Sequence, residues 1–493
     1  MPERLAYNVE NSGERQKMKF SLINASPNVG LDERERRKAH GSFPPLGILY
    51  LAAVLREKGV EVSLLDQPAQ GFSVDDTVRW IEQENPDILG FSTFATSGKT
   101  AALISEKVKE TNPDITVVFG NYYATFNPER ILKKYRAVDI IVRGEAENTA
   151  VELADCLSHD NDLKSVRGIS FRNNGNIIST PDQPLIKDLD SLPFPARELI
   201  DVEYHSIIAG ANLAPKKFTS LVSSRGCVFG CRFCSCTQFA RHVWRPRSVQ
   251  NTLEELRFLA SEGYKQFIFV DDSFTLNPKR VIEICRAMRK DKLDMEWICE
   301  GRVDNCSYEM LREMVSAGCR VLFFGIESAN KRILDYYNKR ATPEQSRDAV
   351  IAAKKAGIDV VVGSFIFGAP DETREEMQHT IEFAKKIPID LPQFNILGVY
   401  PGTELWDEFE AGGFLDGGEY WEEGVGISAI CPTAVPVNEI RRIVHDAFYQ
   451  FVRRPSFMAR QVANTLKSSY RMNAVLNNLD KMGDILENVR NVT

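Results

Sequence analysis

FTSLVSSRGCVFGCRFC, Phe218 to Cys234, runs from a short buried-type strand directly into three cysteines spaced CxxxCxxC on one loop. A strand that ends in a loop of potential ligands is how a βα unit presents a site, at the carboxyl end of its strand. Five more apolar segments follow it: KQFIFVDD (265–272), MEWICEGRV (295–303), RVLFFGIES (320–328), DVVVGSFIFG (359–368) and DLPQFNILGVY (390–400). Helical stretches such as TLEELRFLASEG and PEQSRDAVIAAKKAG separate them. Six βα units are too few for a closed eight-stranded barrel, so residues 217–403 predict a partial (β/α)6 barrel of TIM type.

Upstream, a second alternating series begins with MKFSLINA (18–25) and continues through VEVSLLD, DILGFSTF, ITVVFG and VDIIVRG, with helices between. Strands rich in Val and Ile that alternate with helices predict a parallel sheet covered on both faces, a Rossmann-like unit over 1–154. Residues 155–216 change character and read as a connector, with a hairpin around Asn174-Gly175 inside GISFRNNGNIIST. Residues 404–493 read as a helical tail. The fold class is therefore α/β, a Rossmann-like domain followed by a partial (β/α)6 barrel and a helical carboxyl end.

The chain has 493 residues, a 43% hydrophobic fraction and a net charge of −7. That composition fits a globular protein with more than one core and argues against a broad nucleic-acid surface. No apolar run reaches the ~20 residues of a membrane span, and the first eighteen residues lack the apolar core of a secretory signal, so a cytoplasmic location is expected. Four of the ten cysteines crowd into 227–236, while the rest are scattered. Metal or redox chemistry at one place fits this better than a disulfide framework.

Three thiolates on one loop can hold three irons of a four-iron cluster and leave the fourth open to a small molecule. Zinc in structural sites takes four ligands; His242 or Cys236 could supply the fourth, but no second CxxC or His pair follows. Cys236 reads as a spare thiol beside the site.

CxxxCxxC with an aromatic, Phe233, before the last cysteine, after the first strand of a six-unit barrel, resembles the radical SAM superfamily. The resemblance implies a [4Fe-4S] cluster on Cys227, Cys231 and Cys234, whose open iron binds S-adenosylmethionine. It extends along the strand ends: Asp271-Asp272-Ser273, Glu300-Gly301-Arg302, Gly325-Ile326-Glu327-Ser328, the GSFIFGAPDE run containing Ile366, and Tyr400-Pro401-Gly402. It implies SAM contacts from Phe233, Asp272, Ser273, Arg302, Glu327, Ser328, Ile366 and Tyr400.

The first unit resembles the cobalamin-binding domains joined to that superfamily, through Ser42-Phe43-Pro44-Pro45-Leu46-Gly47, Ser92-Thr93-Phe94 and Gly120-Asn121. Ser42 and Pro44 stand where an Asp and the cobalt-ligating His would be, so no axial histidine is expected. Asn121 replaces the second glycine of a GG pair. The resemblance implies cobalamin contacts from Pro44, Leu46, Gly47, Ser92, Thr93, Phe94, Gly120, Tyr122, Tyr123 and Glu145. The implied activity is methylation of an unactivated carbon or a phosphinate centre of a small molecule, with flavodoxin or ferredoxin as electron donor. A radical cyclase without methyl transfer is the enzymatic alternative, and an iron- or zinc-binding module the non-enzymatic one.

Overall fold

The computed structural model describes residues 18–27, 43–208, 211–415 and 434–478. Ser42, His40, Tyr420 and Trp421 lie outside the described residues.

The first sheet contains β1 (Lys19–Asn24), β2 (Glu61–Asp66), β3 (Ile88–Ser92), β4 (Thr116–Gly120), β5 (Ile140–Val142), β6 (Ile169–Asn173) and β7 (Asn176–Ser179). Its order is β2-β1-β3-β4-β5-β6-β7, with the first five strands parallel. An order of 2-1-3-4-5 is the doubly wound arrangement whose ligand crevice opens beyond the strand ends where the order reverses, here between β1 and β3. The Leu46–Glu57 and Glu147–Ser158 helices cover one face; their apolar sides bury Ile48, Leu49, Leu55, Leu153 and Ala154 against Phe20, Leu22, Val118 and Ile140.

The Asn174-Gly175 hairpin forms as expected, with both residues at positive φ. Its placement in a connector needs correction, because β6 pairs antiparallel with β5 and extends the first sheet. Hairpin formation is a local matter of turn chemistry, whereas the strand it then joins is set by long-range packing.

The second sheet holds β8 (Phe218–Leu221), β9 (Gln266–Phe269), β10 (Glu296–Arg302), β11 (Cys319–Glu327), β12 (Val360–Phe367) and β13 (Leu391–Ile396) in consecutive order. Every neighbouring pair is parallel. Phe218, Ile268, Ile298, Val321, Val360, Val362 and Leu391, one or two from each strand, meet in a single inner cluster. First and last strands can share one cluster only if the sheet curls, which is the partial barrel. Tyr204 and Tyr470 close its floor. The Val437–Val452 helix buries Ile440, Ala447 and Phe451 in the core that also receives Phe394 and Ile396 of β13, so the open edge is covered.

The two units share packing. Leu397, Val399, Leu405 and Trp406, from the end of β13 and the helix after it, join the core around Phe119 and Tyr123. Gly402, at φ +81, lies so close to Phe126 that a Cβ there would sit 2.4 Å from the ring. The Tyr204 hydroxyl donates to Asp66 at 2.7 Å, and the Ser220 hydroxyl donates to the Pro44 carbonyl at 3.3 Å.

Candidate active site

The cysteine loop is pinned before its thiols are reached. Asp271 is fully buried and accepts from the Ser223 N–H (2.7 Å), the Ser223 hydroxyl (2.7 Å) and the Ser224 hydroxyl (2.6 Å), which fixes the exit from β8. Gly226 turns the chain at φ +89, where a Cβ would lie 2.1 Å from the Val243 carbonyl oxygen, so no other residue fits. Its N–H donates to Asp272 at 2.7 Å. Farther along, Asn338 donates to the Gly230 carbonyl (2.7 Å), the Thr237 hydroxyl to the Phe229 carbonyl (2.6 Å), and Arg232 pairs with Glu404 and Glu408.

Cys227, Cys231 and Cys234 are half-buried free thiols on this frame. Burial pushes the Cys227 and Cys231 thiols up, while the Lys339 and Arg302 cations pull Cys231 back down. A hydrogen bond from Cys236 holds the Cys234 thiol below its ordinary range. The Arg302 guanidinium lies 3.6 Å from the centre of the Phe229 ring and 3.7 Å from the Cys231 sulfur. Soft thiolates backed by two cations are a donor set that suits an anionic iron–sulfur centre. Among the described residues no three His, Cys, Asp or Glu side chains converge on a single-ion site.

Around the thiols the strand-end residues divide into those open to the barrel mouth and those engaged elsewhere. Asp272 and Tyr400 are open, and Ile366 is half-open. Glu327 sits at φ +66 beside a β-bulge and pairs with Lys339 at 2.7 Å. Gly325 makes room for that pair, since a Cβ there would be 2.4 Å from the Glu327 carboxylate. The Ser273 hydroxyl is buried with no partner among the described residues. Arg302 is held by Asp304 at 2.8 and 3.0 Å and by the Lys339 carbonyl at 2.6 Å, so it braces the cluster loop. Phe233 packs edge-on against Tyr337. Ser328 is buried and caps a turn through Asn330 and Thr380.

A cavity of about 280 Å³ connects the first unit with this loop. Phe20, Leu22, Ile48, Val118, Val142 and Ala150 line its apolar depth, and Ser92, Gly120, Tyr122, Arg225, Cys236 and Asp272 line its mouth. Leu46 and Gly47 also line it. Of its glycines, Gly47 would place a Cβ with nothing within 4 Å and Gly120 one with nothing nearer than 3.9 Å. Gly47 and Gly120 therefore border open volume, whereas Gly90 and Gly226, also in the lining, are packed against Phe20 and the Val243 carbonyl. Asn121 stands at φ +78, a left-handed conformation that Asn tolerates better than most residues, which accounts for its place in the GG position. Its side chain donates to the Ser92 hydroxyl at 2.9 Å.

Not every expected cobalamin contact reaches the cavity. Tyr123 is 3% exposed and packs in the core against Gly98, because adjacent residues of the Asn121–Phe126 helix point to different sides. Tyr122 alone of the pair faces the cavity, stacked on Phe239 at 4.4 Å. Thr93 is buried and ties β3 to β4 by donating to the Gly120 carbonyl at 2.7 Å. Pro44 is buried against the barrel, and Phe94 is surface-exposed, stacked on Tyr122. Glu145 lines the cavity, but Arg245 takes its carboxylate at 2.7 and 2.8 Å. Those ion pairs hold Glu145 below the usual carboxylate range despite its burial. Arg225 joins the group through Glu147 at 2.6 Å. Arg225, Arg245 and Glu147 carry no local sequence signal; their pairing spans about a hundred residues or less between units.

The Radical SAM superfamily model matches residues 221–384, and the B12 binding domain model matches residues 36–154. An uncharacterized methyltransferase of Pyrococcus horikoshii is 37% identical over 422 residues, covering 85% of this chain and 90% of its own length. An anaerobic magnesium-protoporphyrin IX monomethyl ester cyclase of Rubrivivax gelatinosus is 30% identical over 379 residues, 75% of this chain and 66% of its own. Among solved structures, the radical SAM methyltransferase TsrM of Kitasatospora setae, with cobalamin and a [4Fe-4S] cluster bound, has a TM-score of 0.66 at 17% identity. The match covers 81% of this chain and 76% of that one.

Proposed function

Because this chain belongs to the cobalamin-binding radical SAM family, we propose that it methylates an unactivated carbon, or a phosphinate centre, of a small molecule. It is an enzyme, and its cofactors are cobalamin, a [4Fe-4S] cluster and S-adenosylmethionine. When bound, the cluster and SAM supply a 5′-deoxyadenosyl radical, and cobalamin supplies a methyl carrier.

The observation that supports this reading is one cavity lined both by the open backbone at Gly47 and Gly120 and by Cys236 and Asp272 beside the cysteine loop. Two cofactors that must act on one substrate have to share a water-poor space, and this chain builds one between its units. Cys227, Cys231 and Cys234 hold the cluster. Asp272, Ser273, Glu327, Ile366 and Tyr400 contact SAM, with Arg302 bracing the loop. Leu46, Gly47, Ser92, Gly120 and Tyr122 cradle the corrin and its tail. A low-potential donor, flavodoxin or ferredoxin, reduces the cluster. The free thiols suit a reducing compartment, the cytoplasm; among the described residues no helix is long and apolar enough to cross a membrane.

The cyclase relative at 30% identity favours a second reading, ring closure without methyl transfer. Turnover with methyl-labelled SAM separates the two. The methylation reading predicts label in product together with 5′-deoxyadenosine. Deoxyadenosine formed with no label transferred would contradict it and favour the cyclase.

A further inference from the structure

The inner wall of the barrel changes chemistry from floor to mouth. The lowest register row, Ile268, Ile298, Val321 and Val360, is wholly apolar. The next runs Glu300, Phe323, Val362 and Leu391. Above it, Ser364 stands opposite Gln393, and above that Ile366 stands opposite Asn395. Alternation along the strands fixes the direction these residues face: Cys299, Phe324, Phe365 and Phe367 between them are fully buried on the helix side. Glu300 and Asn395 by contrast are open, and Ser364 and Gln393 partly so. The mouth therefore has an acidic wall on β10 and an amide–hydroxyl wall on β12 and β13.

Glu300 is the unbalanced member. Desolvation within the barrel raises its carboxyl first, Asp272 and Glu327 add to that as like charges, and Lys339, the neighbouring cation, is already bonded to Glu327 at 2.7 Å. Among the described residues no hydrogen bond or ion pair engages its carboxylate. Open to the barrel mouth and facing two like charges, the Glu300 carboxylate is free to take a cationic partner. On the facing wall Asn395 donates to the Ser364 hydroxyl at 3.1 Å, which leaves the Ser364 proton and the Asn395 carbonyl oxygen uncommitted. Gln393 has no protein partner among the described residues.

We infer that the barrel mouth seats a substrate bearing a protonated amine or guanidinium, which pairs with Glu300, and carbonyl or hydroxyl groups, which bond to Ser364, Gln393 and Asn395. This rests on the radical reading of the same site and adds the substrate class to it. The apolar floor sets how deep the molecule can go, and the polar groups set its orientation. Discrimination follows, because a substrate without the cation leaves Glu300 facing only the like charges of Asp272 and Glu327.

SAM also carries positive charge, so the test must separate the two ligands. The reconstituted, reduced holoenzyme is given SAM and a metabolite extract of the organism that carries the chain, split by ion exchange into cationic, neutral and anionic fractions. Substrate seating is read as stimulation of 5′-deoxyadenosine formation over the substrate-free rate, which does not require methyl transfer. The cationic fraction is expected to stimulate. Glu300→Gln should raise the amount of that fraction needed for half-maximal stimulation at least tenfold, and Asn395→Ala should raise it severalfold. Stimulation confined to the neutral or anionic fractions would overturn the inference. So would a Glu300→Gln enzyme whose half-saturation shifts for SAM and not for the fraction. Stimulation by the cationic fraction without label transfer from methyl-labelled SAM would uphold the seat and contradict only methylation.

Discussion

Glu372 is wholly buried, and one of its carboxylate oxygens accepts from the Gly368 and Ala369 N–H groups at 2.7 and 3.2 Å, while the other has no partner among the described residues. Burial pushes its carboxyl up to about 7 from 4.5. The folded state therefore holds a proton that the unfolded chain releases between those values, and the stability this group contributes falls as pH rises through about 7. Glu372→Gln keeps an acceptor and removes the charge. In denaturant melts it should be more stable than the parent at pH 8 by about 3 kcal/mol, with the gap closing toward pH 5. The cysteines make a second comparison at this scale. Cys227→Ala, Cys231→Ala and Cys234→Ala should each lose bound iron on anaerobic reconstitution, whereas Cys236→Ser should keep it. Iron lost equally from the Cys236 variant would make that thiol a ligand.

Between elements, the Glu145–Arg245 pair ties the β5 exit to the strand that follows the cysteine loop, with both side chains under a tenth exposed. Arg245→Met leaves the Glu145 carboxylate short of partners in a buried place and should cost about 3 kcal/mol in unfolding free energy. The double variant with Glu145→Gln should lose less than the sum of the two single changes. This clamp also marks how far the sequence could be read. Elements were legible wherever period, Asn-Gly or capping chemistry is local, as in the hairpin and in the six barrel strands. The cysteine spacing was legible because its ligands sit on one loop. Arg225 meeting Glu147, β6 pairing with β5, and Tyr123 turning into the core beside a cavity-facing Tyr122 depend on segments far apart in the chain. No window of residues encodes them.

At the scale of the whole molecule, the doubly wound sheet and the barrel are set so that the crevice of one opens on the ligand loop of the other. The cavity at their junction is the place proposed above for the meeting of cobalamin and the cluster. Gly120 is extended, at φ −136, so a larger residue is tolerated by the backbone and its side chain would enter the cavity. Gly120→Ile should therefore fold normally and block cobalamin. The most direct measurement is iron and cobalt content after anaerobic reconstitution with iron, sulfide and hydroxocobalamin, made on the parent chain, Gly120→Ile and Cys231→Ala. Both metals are predicted in the parent, iron without cobalt in Gly120→Ile, and cobalt without iron in Cys231→Ala. A parent chain that binds zinc and retains neither iron nor cobalt would contradict the account.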